Sequence, residues 1–289
     1  MFFCYLVSVF LSISSLVFPG LVFDFPNYQK GEIVSLDSSG QNLAAQTEAA
    51  SLVVYDPQDN IYLLSKNENE QRSIASLTKL MTALVFLDLQ PDWEAEYIIS
   101  DRDRREGGRI YLFRGDTVTV KNLFYSSLVA SDNSATAALV NSTGLSEKEF
   151  VQRMNNKAKA LFMFDTNFVD PIGLGDENIS TAKDVAILLD SALNRPEIVK
   201  AVNLDVYRFV TQNGEEKKLE STDDLLTQNL GSLKLLGGKT GYTNSAGYCF
   251  AAKFKRGERE LISVVLGSQN RFSRFEITKD IATWVYENY

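Results

Sequence analysis

Ser76-Leu77-Thr78-Lys79 leads directly into an apolar run at residues 80–87, LMTALVFL, and the other features of the chain are best understood relative to this stretch. Ser76 and Lys79 are three positions apart, so on a helix their side chains share one face and can meet. The run behind them is apolar nearly all round, which is typical of a buried helix. A serine at the first turn of that helix also lies near the positive end of the helix dipole. The stretch therefore predicts a buried helix with a prepared nucleophile at its start.

Length and composition allow one large domain, or one domain with a subdomain. The chain has 289 residues, of which 45% are hydrophobic, and this is enough for a full core. Its net charge is −8, and no block of basic residues interrupts the sequence. A nucleic-acid surface needs a basic patch, so we expect no nucleic-acid partner.

Histidine is absent from the sequence, and this absence limits which catalytic groups and metal ligands the protein can use. A Ser-His-Asp triad and a zinc site built on histidine are both excluded. If a serine is the nucleophile, its base must be another group, and a lysine with a lowered pKa is the leading option. The two cysteines, Cys4 and Cys249, lie far apart and predict no disulfide framework.

The N-terminal segment is almost wholly apolar up to residue 23. Its length suits either a signal peptide or a single membrane-spanning helix, and we assign residues 1–25 to this segment. No basic residue precedes it and no small-x-small cleavage site follows it, so both interpretations stay open. Either one sends the rest of the chain across the cytoplasmic membrane. The polar residues 26–48 predict a linker, and the folded domain is expected at residues 49–289.

The remaining pattern predicts an α+β fold. Strand-like segments at residues 50–55 and 60–65 are joined by a turn signal, Asp56-Pro57-Gln58-Asp59. Helical patterns follow at residues 121–130, 134–141, 146–162 and 181–193. Strands return at 206–211, 217–221, 234–242, 248–255 and 260–267, before a last helix at 272–286. We expect one mainly antiparallel sheet flanked by helices, with an inserted helical subdomain at roughly residues 84–203.

Two local features of this middle region carry their own predictions. Ser146 and Glu149 have the spacing of a capping box at the start of a helix. The charged stretch at residues 101–108, DRDRREGG, predicts a solvated loop whose charges need no partner.

A Ser-x-x-Lys match alone is weak, because Ser180-Thr181-Ala182-Lys183 also fits the pattern. There Ser180 precedes a helix and is expected to be its N-cap, with Lys183 on a polar helix face. Ser76 differs because an apolar helix follows its lysine at once. Burial of Lys79 would lower the pKa of its amine, as a neutral amine base requires.

Two further motifs offer partners for that pair. Ser131-Asp132-Asn133 lies in a break between helical patterns, where Ser131 could relay a proton and Asn133 could hold both a lysine and a substrate carbonyl. The alternative is a turn in which Ser131 caps the next helix. Lys239-Thr240-Gly241 ends a predicted strand, so its cation and hydroxyl would face an anionic group, while Gly241 would let another backbone approach closely. An edge strand of this kind can also bind an extended peptide.

In this order the three motifs resemble those of the penicilloyl serine transferases. The surrounding sequence resembles the low-molecular-mass D-alanyl-D-alanine carboxypeptidases over roughly residues 49–289. The segments that carry this resemblance are residues 108–112, 114–120, 128–131, 170–174, 238–243 and 246–248. The resemblance implies a β-lactamase/transpeptidase-like fold, no cofactor and no metal.

The resemblance also implies roles in acyl transfer. Ser76 would be the acylated nucleophile and Lys79 its general base. Ser131 would pass the proton to the leaving D-alanine, and Asn133 would orient Lys79 and the substrate. The backbone N–H groups of Ser76 and Tyr242 would form the oxyanion hole.

Substrate binding is implied for a second group of residues. Lys239 and Thr240 would hold the carboxylate of the substrate or of a β-lactam. An arginine near the start of the last helix would grip the terminal carboxylate with its fork, and Arg274 fits best, with Arg271 as the alternative. Tyr242 stands where several relatives have histidine. Because only its backbone is needed, we expect this difference to affect substrate preference rather than activity.

The implied function is a serine-type D-Ala-D-Ala carboxypeptidase that trims peptidoglycan stem peptides and is acylated by β-lactams. It would act on the extracytoplasmic side of the cytoplasmic membrane, and it would be membrane-bound through its N-terminal segment if that segment is not cleaved. An endopeptidase on cross-linked peptides would use the same residues and stays open. A class A β-lactamase would need a Glu-x-x-Leu-Asn loop, which residues 168–176 do not contain. A non-catalytic envelope scaffold is the last alternative.

Overall fold

A computed structural model describes Glu32–Ile33 and residues 43–289. In chain order the strands are β1 Glu32–Ile33, β2 Ser51–Asp56, β3 Ile61–Lys66, β4 Arg72–Ser73, β5 Glu96–Ile98, β6 Thr117–Thr119, β7 Ile179–Ser180, β8 Val206–Val210, β9 Glu216–Glu220, β10 Lys234–Thr243, β11 Gly247–Arg256 and β12 Arg259–Ser268. The α-helices are α1 Thr78–Asp88, α2 Val120–Val129, α3 Asn133–Asn141, α4 Glu147–Ala160, α5 Ala182–Leu193, α6 Pro196–Val202 and α7 Ser273–Asn288. Short 3₁₀ helices lie at Ala75–Leu77, Asp101–Asp103 and Asp224–Thr227.

A six-stranded sheet in the order β1-β3-β2-β12-β11-β10 joins the two ends of the domain. The early hairpin β2–β3 pairs with the last strand, so that Val53 lies opposite Val264. Every pairing in this sheet is antiparallel except that of β1 with β3. The predicted α+β class and the mainly antiparallel sheet are confirmed.

The helices cover both faces of the sheet and build separate apolar layers. On one face, α1, α2 and α5 pack with the sheet in the largest core cluster, which includes Phe86, Phe124 and Leu189. On the other face, Ile281 and Val285 of α7 are fully buried against the sheet. Within α1 every residue from Thr78 to Leu87 is buried, as its all-round apolar sequence predicts.

Helices α1 to α6 all follow β3 and precede the long strands at the C-terminal end. The predicted subdomain boundaries, roughly 84 and 203, stay a prediction. The folded part extends beyond the predicted start at residue 49, because Ala44 is buried and Lys66 Nζ donates to the backbone oxygen of Thr47. The predicted leader, and the linker up to residue 42 apart from β1, lie outside the described residues.

Two local predictions were wrong in detail. Ser180 is not the N-cap of α5, because it lies in β7 and Thr181 accepts the hydrogen bond from the Asp184 N–H. The loop at residues 101–108 is not simply solvated, because Asp103 is fully buried. The Asp103 carboxylate accepts hydrogen bonds from Ser100, Tyr97 and Asn141. A buried charge is costly unless it is paired or hydrogen-bonded, and these donors meet that requirement.

None of the helices within residues 43–289 is both long and apolar enough to cross a membrane.

The contribution of the capping box at the start of α4 to stability can be tested by mutation. Ser146 Oγ accepts from the Glu149 N–H, and the Glu149 carboxylate accepts from the Ser146 N–H at 2.9 Å. We expect Ser146→Ala to lower the free energy of unfolding by about 1 kcal/mol, since it leaves end groups of the helix unsatisfied. Urea denaturation would measure the change. Lys148→Ala, an exposed change on the same helix, is the control and should have a much smaller effect; equal effects would contradict the cap.

Candidate active site

Ser76 lies in the 3₁₀ turn that runs directly into α1, and Lys79 is one turn further on. The lysine side chain is fully buried, whereas Ser76 is partly exposed. Lys79 Nζ lies 2.9 Å from Ser76 Oγ and 2.9 Å from Asn133 Oδ1. A third neighbour, the backbone oxygen of Ile172, is also 2.9 Å away. Three parts of the chain thus converge on one amine.

Burial lowers the pKa of Lys79 to about 7, although the negative charges of Asp132 and Asp170 act in the opposite direction. A neutral amine has two N–H donors and one lone pair. The oxygens of Asn133 and Ile172 can only accept, so they take the two N–H groups. The lone pair is then left for the hydroxyl hydrogen of Ser76, which is the arrangement that a general base needs.

Ser131 lies in the break between α2 and α3 and has a left-handed backbone, with φ of 56°. It does not cap α3, because Asp132 is the N-cap and accepts from the Ala135 N–H at 2.9 Å. Ser131 Oγ instead accepts a 2.9 Å hydrogen bond from Lys239 Nζ. The turn therefore presents the hydroxyl to the cleft and not to the helix.

Asn133 is held by the charged loop that precedes it in the chain. Its Nδ2 donates to the backbone oxygens of Glu106 and Gly107, each at 3.1 Å. Because both N–H groups are used there, Oδ1 is the atom that faces Lys79. The loop at residues 101–108 thus orients a site residue, a role that the sequence pattern does not reveal.

Strand β10 forms the opposite wall and carries the Lys-Thr-Gly motif. Lys239 is almost fully buried, and the Thr240 hydroxyl lies 2.5 Å from the hydroxyl of Thr222. A side chain at Gly241 would place its Cβ 2.7 Å from the backbone oxygen of Ile74 and 3.3 Å from the Ser76 nitrogen. The strand can therefore pass this close to the nucleophile only because position 241 is a glycine, as predicted.

The loop at residues 170–176 supports the nucleophile from another side. Asp170 Oδ1 accepts from the N–H groups of Ile172 and Gly173, both at 2.7 Å. A Cβ at Gly173 would collide with the backbone oxygen of Ala75. The sequence resemblance includes this loop, but its task, presenting the Ile172 oxygen to Lys79, appears only in three dimensions.

Two arginines at the start of α7 also line the cleft, which has a volume of about 530 Å³. Arg274 is buried, and its Nη1 donates to the backbone oxygen of Gly241 at 3.2 Å. Arg271 is more exposed and pairs with Asp224 at 3.2 Å. Arg274 is thus the arginine fixed against β10, and its choice over Arg271 for substrate binding stays a prediction.

Burial lowers the pKa values of the basic side chains at the cleft. The pKa of Lys239 is lowered well below its usual value by burial, and further by the charges of Lys79 and Arg274. Burial likewise lowers the pKa of Arg274 to about 10. Such a cluster of partly desolvated cations favours binding of an anion.

The second Ser-x-x-Lys match lies elsewhere and has structural partners. Ser180 Oγ is 2.7 Å from Thr166 Oγ1, and Lys183 Nζ lies 5.0 Å from the centre of the Tyr62 ring. Neither residue lines the cleft that contains Ser76.

The site and fold match a known family. A family model described as D-alanyl-D-alanine carboxypeptidase matches residues 38–270, which is most of the chain. The chain belongs to the D-alanyl-D-alanine carboxypeptidase family. Its Ser76, Ser131 and Lys239 motifs all fall inside the matched range.

Individual members show how far the similarity reaches. The D-alanyl-D-alanine carboxypeptidase DacF of Bacillus subtilis is 34% identical over 255 residues, covering 84% of this chain and 64% of DacF. The chain therefore spans somewhat less than two thirds of that relative. The D-alanyl-D-alanine endopeptidase of Escherichia coli is 30% identical over 248 residues, covering 84% of this chain and 79% of the relative.

Solved structures give the same fold. The Streptomyces K15 DD-transpeptidase superposes with a TM-score of 0.77 at 26% identity, covering 84% of this chain and 98% of that one. Penicillin-binding protein D2 from Listeria monocytogenes, in its cefotaxime-bound form, superposes with a TM-score of 0.72 at 31% identity. That match covers 83% of this chain and 98% of the other.

Replacement of the nucleophile should abolish covalent labelling of this carboxypeptidase family member. We expect Ser76→Ala to take up no fluorescent penicillin, because the hydroxyl that lies 2.9 Å from the Lys79 amine is removed. Ser180→Ala, in the other Ser-x-x-Lys sequence, is the matched control and should be labelled like the unaltered protein. Intact-mass measurement detects the covalent penicillin adduct in both variants. Labelling of Ser76→Ala would contradict the assignment.

The rate of acylation should depend on the charge of Lys79. Only the neutral amine can accept the proton of Ser76, and its fraction grows as the pH rises through about 7. We therefore expect the acylation rate to rise nearly tenfold per pH unit well below 7 and to level off above it. Stopped-flow measurements of the acylation rate between pH 5 and pH 9 would show this rise and the plateau above it. A rate that falls across the same range would contradict a neutral lysine base.

Proposed function

We propose that this protein is a serine D-Ala-D-Ala carboxypeptidase that removes the terminal D-alanine from peptidoglycan stem peptides through an acyl-enzyme on Ser76. The observation that carries the proposal is the fully buried Lys79 amine, 2.9 Å from Ser76 Oγ and with a pKa lowered to about 7. Acyl transfer needs a base that is unprotonated at physiological pH, and this chain has no histidine to supply one.

Acylation would begin with attack of Ser76 Oγ on the carbonyl carbon between the two D-alanines. Lys79 Nζ takes the hydroxyl proton as the new bond forms. The carbonyl oxygen becomes an oxyanion, which the N–H groups of Ser76 and Tyr242 would stabilise; removal of one such donor typically costs about 3 kcal/mol of transition-state stabilisation. The close approach of β10 at Gly241 supports this pairing of backbone groups.

Loss of the leaving group needs a proton on the departing nitrogen. Ser131 is suited to deliver it, because its hydroxyl accepts from Lys239 and its own hydrogen is free to point into the cleft. The C–N bond then breaks, D-alanine departs as a neutral amine, and the proton that Lys79 took from Ser76 passes to Ser131, which restores both groups. In the second half, a water molecule gives a proton to Lys79 and attacks the acyl carbon. The bond to Ser76 Oγ then breaks as Lys79 returns that proton to the oxygen.

Substrate recognition would depend on the carboxylate of the last D-alanine. Arg274 and the Thr240 hydroxyl line the cleft. Lys239, which is buried next to Thr240 and bonded to Ser131 of the cleft, would add positive charge. Arginine suits a carboxylate because its two parallel N–H groups match the two oxygens. A peptide lying along β10 would place its terminal carboxylate near these groups.

A DD-endopeptidase acting on cross-linked peptides is the second candidate. The relative from Escherichia coli that is 30% identical is named for that activity, and this chain covers 79% of its length. The same nucleophile and base would serve both reactions, so the difference would lie in what the cleft accepts beyond the scissile bond.

A β-lactamase is less well supported by the loop at residues 170–176. Its carboxylate, Asp170, accepts from Ile172 and Gly173 through one oxygen and from Gly175 and Asn178 through the other, at 2.6–2.7 Å. Both oxygens thus shape the loop and are poorly placed to activate a deacylating water. We expect β-lactams to acylate Ser76 and to inhibit the enzyme, as a lasting acyl-enzyme would.

We place the protein in the cell envelope, on the extracytoplasmic side of the cytoplasmic membrane, because peptidoglycan lies there. The apolar residues 1–25 would direct export, either as a cleaved signal peptide or as a retained anchor. A non-catalytic scaffold would not need an amine base placed next to a serine hydroxyl, so the Ser76–Lys79 pair favours an enzyme over a scaffold.

The decisive experiment supplies a pentapeptide that ends in D-Ala-D-Ala and measures free D-alanine. We expect release by the unaltered protein and none by Ser76→Ala. Cross-linked muropeptides and nitrocefin, assayed in parallel, would report endopeptidase and β-lactamase activity. Faster cleavage of the cross-link than of the pentapeptide would overturn the carboxypeptidase assignment in favour of the endopeptidase.

A further inference from the structure

A buried carboxylate with no assigned task lies behind the strand that carries Lys239. Asp223 stands between β9 and the 3₁₀ helix at Asp224–Thr227, and it is 6% exposed. Its Oδ1 accepts a 2.9 Å hydrogen bond from the Leu225 N–H. Its Oδ2 is buried and has no hydrogen-bond partner among the described residues. A buried carboxylate oxygen without a donor is costly and calls for an explanation.

Strand β10 makes room for that oxygen. A Cβ at Gly238 would lie 3.0 Å from Asp223 Oδ2 and 2.9 Å from the ring of Phe250. The carboxylate thus lies directly against the backbone of β10, one position before Lys239. The aromatic ring beside it lowers the local polarity, so a charge there acts more strongly than it would in water.

The cations in front of β10 need an opposing charge. Lys239 is weakened as a cation by burial and by the charges of Lys79 and Arg274, and Asp223 is the carboxylate that acts to keep it protonated. Asp223 also favours the charged form of Arg274, together with Asp224. Arg274 Nε is itself buried without a hydrogen-bond partner among the described residues. Its guanidinium therefore depends on surrounding charge as well as on its bond to Gly241.

We propose that Asp223 is a positioning residue for binding of the substrate carboxylate: its negative charge, applied from behind β10, keeps Lys239 and Arg274 charged toward the cleft. The proposal deepens the proposed function and rests on it, but it needs only that Ser76 is acylated by ligands that carry a carboxylate. Asp223 itself touches neither the substrate nor the reacting atoms.

The same geometry gives the effect a dependence on pH. Burial raises the pKa of Asp223 to about 7. The charges that face it are Lys239 on β10, Arg274 on α7 and Asp224 on the following turn, and Asp224 is itself paired with Arg271. Below about pH 7 the carboxyl is neutral and its support is lost; above it the charge is present. The contribution of Asp223 to the preference for a ligand with a carboxylate should therefore increase with pH through this range.

Lys79 titrates over the same range, so the test must separate the two groups. As the base, Lys79 affects acylation by any ligand, and the ratio of acylation rates with benzylpenicillin and with its methyl ester cancels that contribution. The charge of Lys79 also acts on Lys239, so the ratio in the unaltered protein is compared at each pH with that in Asp223→Asn, which retains Lys79. Intact-mass measurement of the acyl-enzyme gives both rates between pH 5.5 and pH 8.5.

Asp223→Asn keeps the size of the side chain beside Gly238 and removes its charge. At pH 8 it should lower the ratio by about tenfold, the effect of roughly one pKa unit on a neighbouring cation. At pH 5.5, where the carboxyl of the unaltered protein is neutral, the two proteins should have nearly the same ratio. Acylation by the methyl ester should change little.

Asp184→Asn is the matched control, because Asp184 is another buried carboxyl whose pKa is raised by burial, to about 6, and it lies outside the cleft. That variant should keep the ratio and its pH dependence even if its thermal stability falls. An unchanged ratio and slope in Asp223→Asn, or an equal loss in Asp184→Asn, would overturn the proposal. Failure of the proposed function would look different: penicillin would acylate Ser76 but no peptide would lose D-alanine.

Discussion

The burial of the Lys79 amine is the constraint to which the rest of the site conforms. Moving an ammonium group out of water lowers its pKa to about 7, which corresponds to about 5 kcal/mol against the protonated form. The amine stays satisfied only because two fixed acceptors, the Asn133 amide oxygen and the Ile172 carbonyl, take its hydrogens. The serine hydroxyl completes the set. Stability of the buried lysine and reactivity of the serine thus have the same structural cause.

Those acceptors come from distant parts of the chain, and close packing of backbone holds them in place. The turn that carries Ser76 is enclosed between Gly173 on one side and Gly241 on the other. A side chain at either glycine would meet the backbone of residues 74–75 at well under van der Waals distance. The close packing limits how far the nucleophile can move relative to its base, and preorganisation of this kind lowers the cost of reaching the transition state.

The cleft contains buried basic groups, although the protein as a whole has a negative net charge. The chain carries a net charge of −8, yet Lys79, Lys239 and Arg274 are buried together in one cleft. Desolvation lowers the pKa of each of them, and the charges of Lys79 and Arg274 lower that of Lys239 further. In the proposed function, an anionic substrate would relieve the repulsion on Lys239, and the buried Asp223 would moderate it beforehand.

Local pattern was enough to predict the hairpin β2–β3, the capping box of α4, the buried helix α1 and the pairing of Ser76 with Lys79. Each of these depends on residues a few positions apart, where periodicity and hydrogen-bond geometry are fixed by the helix or the turn. Only the tertiary structure decided that Ile172 supplies an oxygen, that the loop at residues 101–108 orients Asn133, and that Lys239 meets Ser131. Those contacts join segments tens of residues apart, and backbone groups and burial, which do not appear in a side-chain pattern, determine them. The same physics explains why Ser180-Thr181-Ala182-Lys183, with equal spacing, became a strand end and a helix start with no part in the cleft.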